Sequence, residues 1–227
     1  MLPRSMLEEA LETLVRRATE ADGGLDLAAA REAFHARTGE IAPGDPDYEQ
    51  RIAFFLDWYL CAWISPDGTR PGERAARTEL EREVAGACAR AARGLYEVVE
   101  VEEDGVRLSD RLGGGRFRVA HASARTGQLR AGDVFDGHLI VVGERIALLA
   151  GLVFHPAEAR EALEELLSRV RREGPRDRVA ILDGLSRMRM RLDRFASMRA
   201  RHIYRWEALA DREILSAAWA RKSGDHA

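Results

Sequence analysis

The chain has 227 residues, of which 46% are hydrophobic, so it is long enough for one large domain or two small ones with a sizeable core. Acidic and basic residues nearly cancel to a formal charge of -3, which gives no strong whole-molecule attraction to nucleic acid or anionic lipid. The two cysteines, Cys61 and Cys88, lie far apart in the sequence and have no CxxC spacing. This argues against a structural zinc site and a disulfide scaffold, and it favours a reducing compartment.

The N-terminus lacks the pattern of a signal peptide. It becomes acidic and amphipathic at Glu8 and Glu9, where a signal peptide needs an uninterrupted apolar core. No stretch approaches the roughly 20 consecutive apolar residues of a membrane span. We therefore expect a cytoplasmic protein with no membrane partner.

Residues 1–93 are predicted to form a helical segment. Apolar residues recur at helical spacing in its first part, and glycine pairs or proline turns separate the helices. The predicted helices are one from about Leu7 to Gly23-Gly24, followed by 26–38, 48–64 and 73–93. The third is apolar on both sides, which is typical of a central helix.

Asp57 lies in the middle of that apolar third helix and is a candidate buried structural acid. A buried carboxylate must be paired, hydrogen-bonded or shifted in pKa. We expect an arginine or a tyrosine hydroxyl as its partner. An ion pair that holds the helical segment to the next segment is favoured over a catalytic acid.

Residues 94–154 form a predicted β module, because the apolar period changes from 3.6 to about 2 residues at Gly94. Turn signals separate five short strands, and they lie at Asp104-Gly105, Gly132-Asp133 and Gly143-Glu144. The strands are predicted at 95–101, from 106, at 117–121, at 134–142 and at 146–154. Such a pattern favours a small five-stranded antiparallel β barrel of the SH3-like or OB-like kind, with a flat meander packed on the helices as the alternative.

Residues 155–227 are predicted to form long C-terminal helices. A helix restarts at Pro156, and Gly174-Pro175 ends it and begins the next one. The last helix is predicted to run to about Arg221, with a candidate break near His202. The chain as a whole is therefore predicted to be an α+β protein, with a small barrel between two helical segments.

Several segments resemble a group of uncharacterised proteins from GC-rich bacteria, particularly of the myxobacterial type. The resemblance is carried by Tyr48-Glu49 with Phe54-Phe55-Leu56-Asp57-Trp58-Tyr59-Leu60, Gly94-Leu95-Tyr96-Glu97-Val98 with Leu108-Ser109-Asp110, Gly132-Asp133-Val134-Phe135, and Arg201-His202-Ile203-Tyr204-Arg205. A GC-rich genome is also the interpretation of the basic residues, which are all arginine except Lys222. The resemblance implies a shared architecture and a bacterial origin, and it transfers no catalytic or binding residue.

An arginine cluster in the last predicted helix is the strongest functional signal. It comprises Arg187, Arg189, Arg191, Arg194, Arg199, Arg201 and Arg205, with Trp206 beside them. Guanidinium groups grip phosphates and aromatic rings stack on bases, so the cluster is a candidate nucleic-acid site. A helix that binds a protein partner, or that meets acids of the β module or of the preceding helix, is the favoured alternative, because a sequence pI near 6 lacks a basic bias.

The histidines show no metal-binding or catalytic spacing on any one element. His121 and His138 lie on different predicted strands and would need to converge, with Asp133 or Asp136 beside them, to form a site. No nucleophile motif or phosphate-binding glycine loop is present. We therefore expect no cofactor, no metal and no enzymatic activity.

The favoured hypothesis is a non-enzymatic interaction or regulatory protein of the bacterial cytoplasm. It would bind a protein partner, or self-associate, through the helix at 48–64 or through the terminal helix. A nucleic-acid-associated protein that uses the barrel and the arginine-rich helix is the alternative. An enzyme built on His121 and His138 is the third hypothesis.

Overall fold

A computed structural model of the chain describes residues 4–120, 128–173, 177–195 and 197–209. Its helices are α1 Arg4–Glu20, α2 Leu25–Thr38, α3 Tyr48–Cys61, α4 Pro71–Ala75, α5 Glu79–Ala89, α6 Arg160–Glu173, α7 Arg178–Arg194 and α8 Ala200–Ile203. Its strands are β1 Ala92–Val101, β2 Gly105–Asp110, β3 Arg116–Ala120, β4 Val134–Val142, β5 Arg145–Leu148 and β6 Val153–His155. The predicted α+β class is confirmed.

The chain divides into two compact units. The first contains residues 1–32 and 49–154, and the second contains residues 33–48 and 155–227. The first unit thus joins most of the predicted helical segment to the β module. The second unit combines the C-terminal helices with the end of α2 and the segment that follows it.

The strands of the first unit form a curled antiparallel sheet, a half-barrel, with the order β3-β2-β1-β4-β5. The predicted hairpins are present, since β1 pairs with β2 and β4 pairs with β5. The fifth predicted strand, 146–154, is instead divided into β5 and a short β6 that pairs with β4. His121, the predicted end of the third strand, lies outside the described residues.

Strand β4 is buried on both faces over most of its length. Phe135 and Leu139 belong to the apolar core inside the curl of the sheet, where Tyr96 is fully buried. Because side chains alternate along a strand, Asp136 and His138 lie on the opposite face. There the His138 ring lies 5.3 Å from the ring of Phe54 on α3. The central helix therefore contacts the outer face of the sheet at His138.

The single helix predicted at 73–93 is wrong, because α4 and α5 are separated by extended backbone at residues 76–78. The Thr78 hydroxyl accepts a hydrogen bond from the Glu81 amide, and the Glu81 carboxylate accepts one from the Thr78 amide. This capping box begins a new helix at Glu79. The β module also begins at Ala92, two residues earlier than predicted.

The long terminal helix is also shorter than predicted. Helix α7 ends at Arg194, where Phe195 leaves helical geometry, and the extended Arg199 precedes α8. Helix α7 thus ends before the predicted break near His202, and no glycine or proline marks its end. Residues 210–227, where the helix was predicted to continue, lie outside the described residues.

Among the described residues, no helix combines the length and the apolar character that crossing a membrane requires.

Candidate functional site

The second unit contains an open groove of about 1050 Å³. Its lining comes from the 3₁₀ turn Ala157–Ala159, from α6, from the end of α7 and from residues 198–207, with Pro46 at one side. The floor consists of apolar side chains that are almost completely buried: Ala162, Leu166, Leu192, Ala200 and Tyr204. The groove therefore offers apolar contact at its base and charged groups at its rim.

Three exposed carboxylates line the groove on the side of the 3₁₀ turn and α6. Glu161 and Glu165 are four residues apart, so they share one face of α6, and Glu158 precedes them in the turn. None of the three forms an ion pair or side-chain hydrogen bond with another residue in the described part of the chain. Their carboxylates therefore line the groove without an ion-pair partner among the described residues.

Three exposed arginines line the groove from the segment around α8. Arg199, Arg201 and Arg205 all belong to the cluster that the sequence identified. Within residues 4–120, 128–173, 177–195 and 197–209, their guanidinium groups have no ion pair or hydrogen bond. The groove thus brings uncompensated positive and negative groups into one cavity.

Trp206 also lines the groove. The guanidinium carbon of Arg169 lies 4.7 Å from the centre of a Trp206 ring, which is a cation–π geometry. Arg169 also forms ion pairs with Glu173 at 2.9 Å and with Glu207 at 3.6 Å. These contacts fix the half-buried indole beside the exposed arginines.

Tyr204 in the groove floor is held by a buried histidine. The Tyr204 hydroxyl and His155 Nδ1 form a hydrogen bond of 2.8 Å. Burial, together with the nearby Arg189 charge, lowers the pKa of His155 to about 3. His155 is therefore neutral at physiological pH, and its Nε2 is buried with no hydrogen-bond partner among the described residues.

The other arginines of the cluster are engaged within the second unit. Arg187 is only 7% exposed and donates to the backbone carbonyls of Arg37 and Leu209. Arg194 forms a two-point contact with Asp45, at 2.9 and 2.7 Å. Both side chains fasten α7 to other segments of the unit, and neither lines the groove.

Arg189 and Arg191 occupy intermediate positions. Arg189 lines the groove but pairs with Asp47 at 3.0 Å and with Asp193 one helical turn away. Arg191 is half-buried, and its Nε has no partner among the described residues. Asp45, Asp47 and Asp193 thus pair with arginines of the cluster. Asp193 is the acid nearest to the cluster in the sequence, whereas Asp45 and Asp47 come from a distant segment that carries no local signal for this pairing.

Asp57 is buried, as predicted, and its carboxylate accepts a hydrogen bond of 2.6 Å from the Gly151 backbone amide. This contact links the central helix α3 to the β module. A backbone N–H group is therefore one partner of this buried carboxylate.

His138 lies in the core of the first unit. Burial and the neighbouring Arg93 charge lower its pKa to about 3, and its Nδ1 has no partner among the described residues. Arg93 forms a two-point contact with the fully buried Asp136, at 3.0 and 2.6 Å, and lies over the Phe54 ring at 5.1 Å. Asp133 instead accepts a hydrogen bond from the Arg130 amide. His121 lies outside the described residues, so the proposed convergence with His138 is untested.

One buried carboxylate that was not among the sequence candidates is Asp26. It accepts hydrogen bonds from four side chains: Tyr59 at 2.9 Å, Trp63 at 2.9 Å, Ser65 at 2.8 Å and Arg74 at 2.6 Å. Burial alone would raise its pKa, but the hydrogen bonds outweigh burial and lower it. Its position at a helix start was the only sequence signal.

The two cysteines meet despite their separation in the sequence. Both are buried free thiols, on α3 and α5. A hydrogen bond between them and burial together raise the pKa of Cys61. Within the described parts of the chain, no three His, Cys, Asp or Glu side chains are grouped so that they could hold a metal ion.

No protein-family model, curated protein or solved structure matches this chain. Evidence for a function therefore comes from the geometry and chemistry of the groove in the second unit.

Proposed function

We propose that the chain is a non-enzymatic interaction protein that binds a partner protein in the groove of its second unit. The observation that carries this proposal is the coexistence of an apolar floor with uncompensated charges at the rim of one large groove. Protein interfaces typically combine a buried apolar centre with a polar rim. Tryptophan, tyrosine and arginine are the residues most often found at their energetic centres, and all three line this groove.

The openness of the groove favours a protein segment over a small molecule. Small-molecule pockets usually measure roughly 300–1000 Å³ and enclose most of the ligand's surface. This groove, of about 1050 Å³, is open to solvent and is lined by exposed charged side chains. It would therefore leave much of a bound small molecule in contact with water. A protruding peptide segment also fits a concave surface better than a second copy of the same concavity does.

A nucleic-acid partner is the second candidate, because Arg199, Arg201, Arg205 and Trp206 all line the same groove. These groups are suited to phosphate contact and base stacking. The carboxylates of Glu158, Glu161 and Glu165 would repel phosphates in that groove, which favours the protein partner. A labelled oligonucleotide that binds no better at 50 mM than at 300 mM salt would remove this candidate.

The proposal is tested by selecting peptides from a random phage-displayed library on the full chain. Arg201→Glu is the groove variant, since Arg201 is exposed and its reversal leaves the floor intact. Arg172→Glu is the matched control, because Arg172 is an exposed residue of α6 that does not line the groove.

We expect selected peptides to bind the unaltered chain with micromolar Kd in fluorescence anisotropy. Arg201→Glu should weaken binding at least tenfold, and Arg172→Glu less than twofold. The proposal is overturned if no peptide is enriched, or if the two variants bind the selected peptides equally well.

A further inference from the structure

We infer that the segment bound in the groove is an extended peptide with segregated charges, basic at one end and acidic at the other, with an apolar residue between them. This inference rests on the proposed function and specifies the chemistry of the partner. Basic side chains would lie against the glutamates at 158, 161 and 165. Acidic side chains would lie against the arginines at 199, 201 and 205.

The acidic side of the groove favours positively charged groups of a ligand. Its three glutamates are exposed, and no described residue supplies a counter-charge to them. The nearest basic residue of α6 in the lining is Arg169, which is already committed to Glu173, Glu207 and the Trp206 ring. A lysine or arginine of a ligand would therefore meet carboxylates that have no competing internal partner.

The basic side of the groove favours negatively charged groups of a ligand for the same reason. Arg199, Arg201 and Arg205 have no carboxylate partner among the described residues, although the glutamates line the same cavity. The two sets lie more than 4.0 Å apart, since no ion pair joins them. A ligand between the two sets would satisfy both signs at once, which neither a polyanion nor a polycation does.

The spacing of the glutamates is close to that of side chains on one face of an extended ligand. Glu161 and Glu165 are separated by four helical residues, which is a rise of about 6 Å. Side chains on one face of an extended peptide recur every two residues, at about 6.6 Å. Basic residues at alternate positions therefore match the carboxylates one to one.

The apolar floor is the third feature of the groove that the ligand would complement. Leu166, Leu192 and Tyr204 are buried side chains that line the same groove as both charged sets. An apolar side chain in the middle of the ligand would cover them. The predicted ligand pattern is therefore basic-x-basic-x-apolar-x-acidic-x-acidic, in one of the two chain directions.

Four fluorescein-labelled peptides test the pattern on the full chain. The segregated probes are Lys-Ala-Lys-Ala-Leu-Ala-Glu-Ala-Glu and its reverse, Glu-Ala-Glu-Ala-Leu-Ala-Lys-Ala-Lys. The comparison probes replace all four charges with lysine or all four with glutamate. We expect one segregated probe to bind at least fivefold tighter than either comparison probe.

A charge reversal on α6 tests whether the basic end of the probe contacts the glutamates. The double variant Glu161→Lys/Glu165→Lys should lose at least tenfold in affinity for the preferred segregated probe and should gain affinity for the all-glutamate probe. The control is Glu79→Lys/Glu83→Lys, which makes the same charge change at the same spacing on α5 in the first unit. The control should change neither affinity by more than twofold.

Failure of this inference differs from failure of the proposed function. If a single-sign probe binds tightest, or if the double variant binds the segregated probe unchanged, segregated charge recognition is overturned. The same holds if library selection enriches peptides but none of the four probes binds. If neither the library nor the probes yield binding, the proposed function itself fails.

Discussion

The Asp26 carboxylate accepts a hydrogen bond of 2.6 Å from the guanidinium of Arg74, which lies 48 residues further along the chain. Three more donors, from Tyr59, Trp63 and Ser65, converge on the same two oxygens. One buried charge thereby joins α2, the end of α3, the following turn and α4. The helices of the first unit are held together by a polar centre as well as by apolar contact.

Replacing Asp26 with asparagine should destabilise the first unit by about 3 kcal/mol, because it leaves buried donors facing an amide that also donates. Asp67→Asn is the control, since Asp67 also meets Arg74, at 3.4 Å, but is exposed. It should change the stability much less, because exposed ion pairs contribute little. Urea unfolding followed by tryptophan fluorescence measures both. Equal effects of the two substitutions would contradict the role assigned to Asp26.

The contact between α3 and the β module predicts intolerance of any side chain at Gly151. A Cβ atom there would lie 2.2 Å from Phe54 Cα and 2.3 Å from Phe54 N, and backbone atoms cannot move aside cheaply. Gly151→Ala should therefore destabilise the first unit by about 3 kcal/mol or more. Gly72→Ala is the control, because its Cβ would make ordinary contacts at 3.6 Å or more. A thermal midpoint of Gly151→Ala close to that of Gly72→Ala would contradict this packing.

Features of the fold with a local sequence signal could be predicted. The turn signals at Asp104-Gly105 and Gly143-Glu144 correspond to the β1–β2 and β4–β5 hairpins. The pattern at Thr78 and Glu81 was equally local but was obscured by continuous helical periodicity on both sides. The end of α7 had no such signal, because its geometry changes at Phe195 without glycine or proline.

Features that depend on distant residues could not be predicted from one sequence. Arg194 and Asp45 are 149 positions apart, and nothing near either residue specifies the other. The contact between Cys61 and Cys88 likewise depends on how α3 and α5 pack. The sequence identified the arginines of the groove and suggested acids of the preceding helix as partners for them. Glu161 and Glu165 of that helix do line the same cavity, but they form no ion pair with Arg199, Arg201 or Arg205. The sequence therefore indicated which types of residue would matter, but it did not indicate which residues pair with one another.

The two-point contact between Arg194 and Asp45 predicts that Arg194 stabilises the second unit and does not bind the partner. Both side chains are largely shielded from solvent, so their loss is more costly than that of a surface pair. Arg194→Gln should destabilise the unit by about 2–3 kcal/mol. Lysine should not restore the stability, since it cannot form the planar two-point contact.

Arg199→Gln is the control for Arg194, because Arg199 is exposed and lines the groove. It should leave the urea midpoint nearly unchanged and weaken binding of selected peptides. The reverse distribution of effects, with Arg199 stabilising and Arg194 binding, would contradict the division of the arginine cluster into structural and groove residues.

The buried histidines predict that stability falls on mild acidification. The pKa of His138 and of His155 is lowered to about 3, chiefly by burial. An unfolded histidine binds a proton below about pH 6.5, so the unfolded state binds more protons than the folded state between pH 6.5 and 3. Each histidine therefore contributes full stability above pH 6.5 and loses about 2 kcal/mol of it by pH 5.

Glutamine substitutions isolate this effect, because glutamine does not titrate. His138→Gln and His155→Gln should each reduce the loss of unfolding free energy between pH 7 and pH 5 by about 2 kcal/mol, relative to the unaltered chain. Urea titrations at pH 7, 6 and 5 measure the slopes for the two variants and for the unaltered chain. Because the comparison uses pH dependence, a variant that is less stable at every pH remains informative, and slopes parallel to that of the unaltered chain would contradict the neutral buried state of His138 and His155.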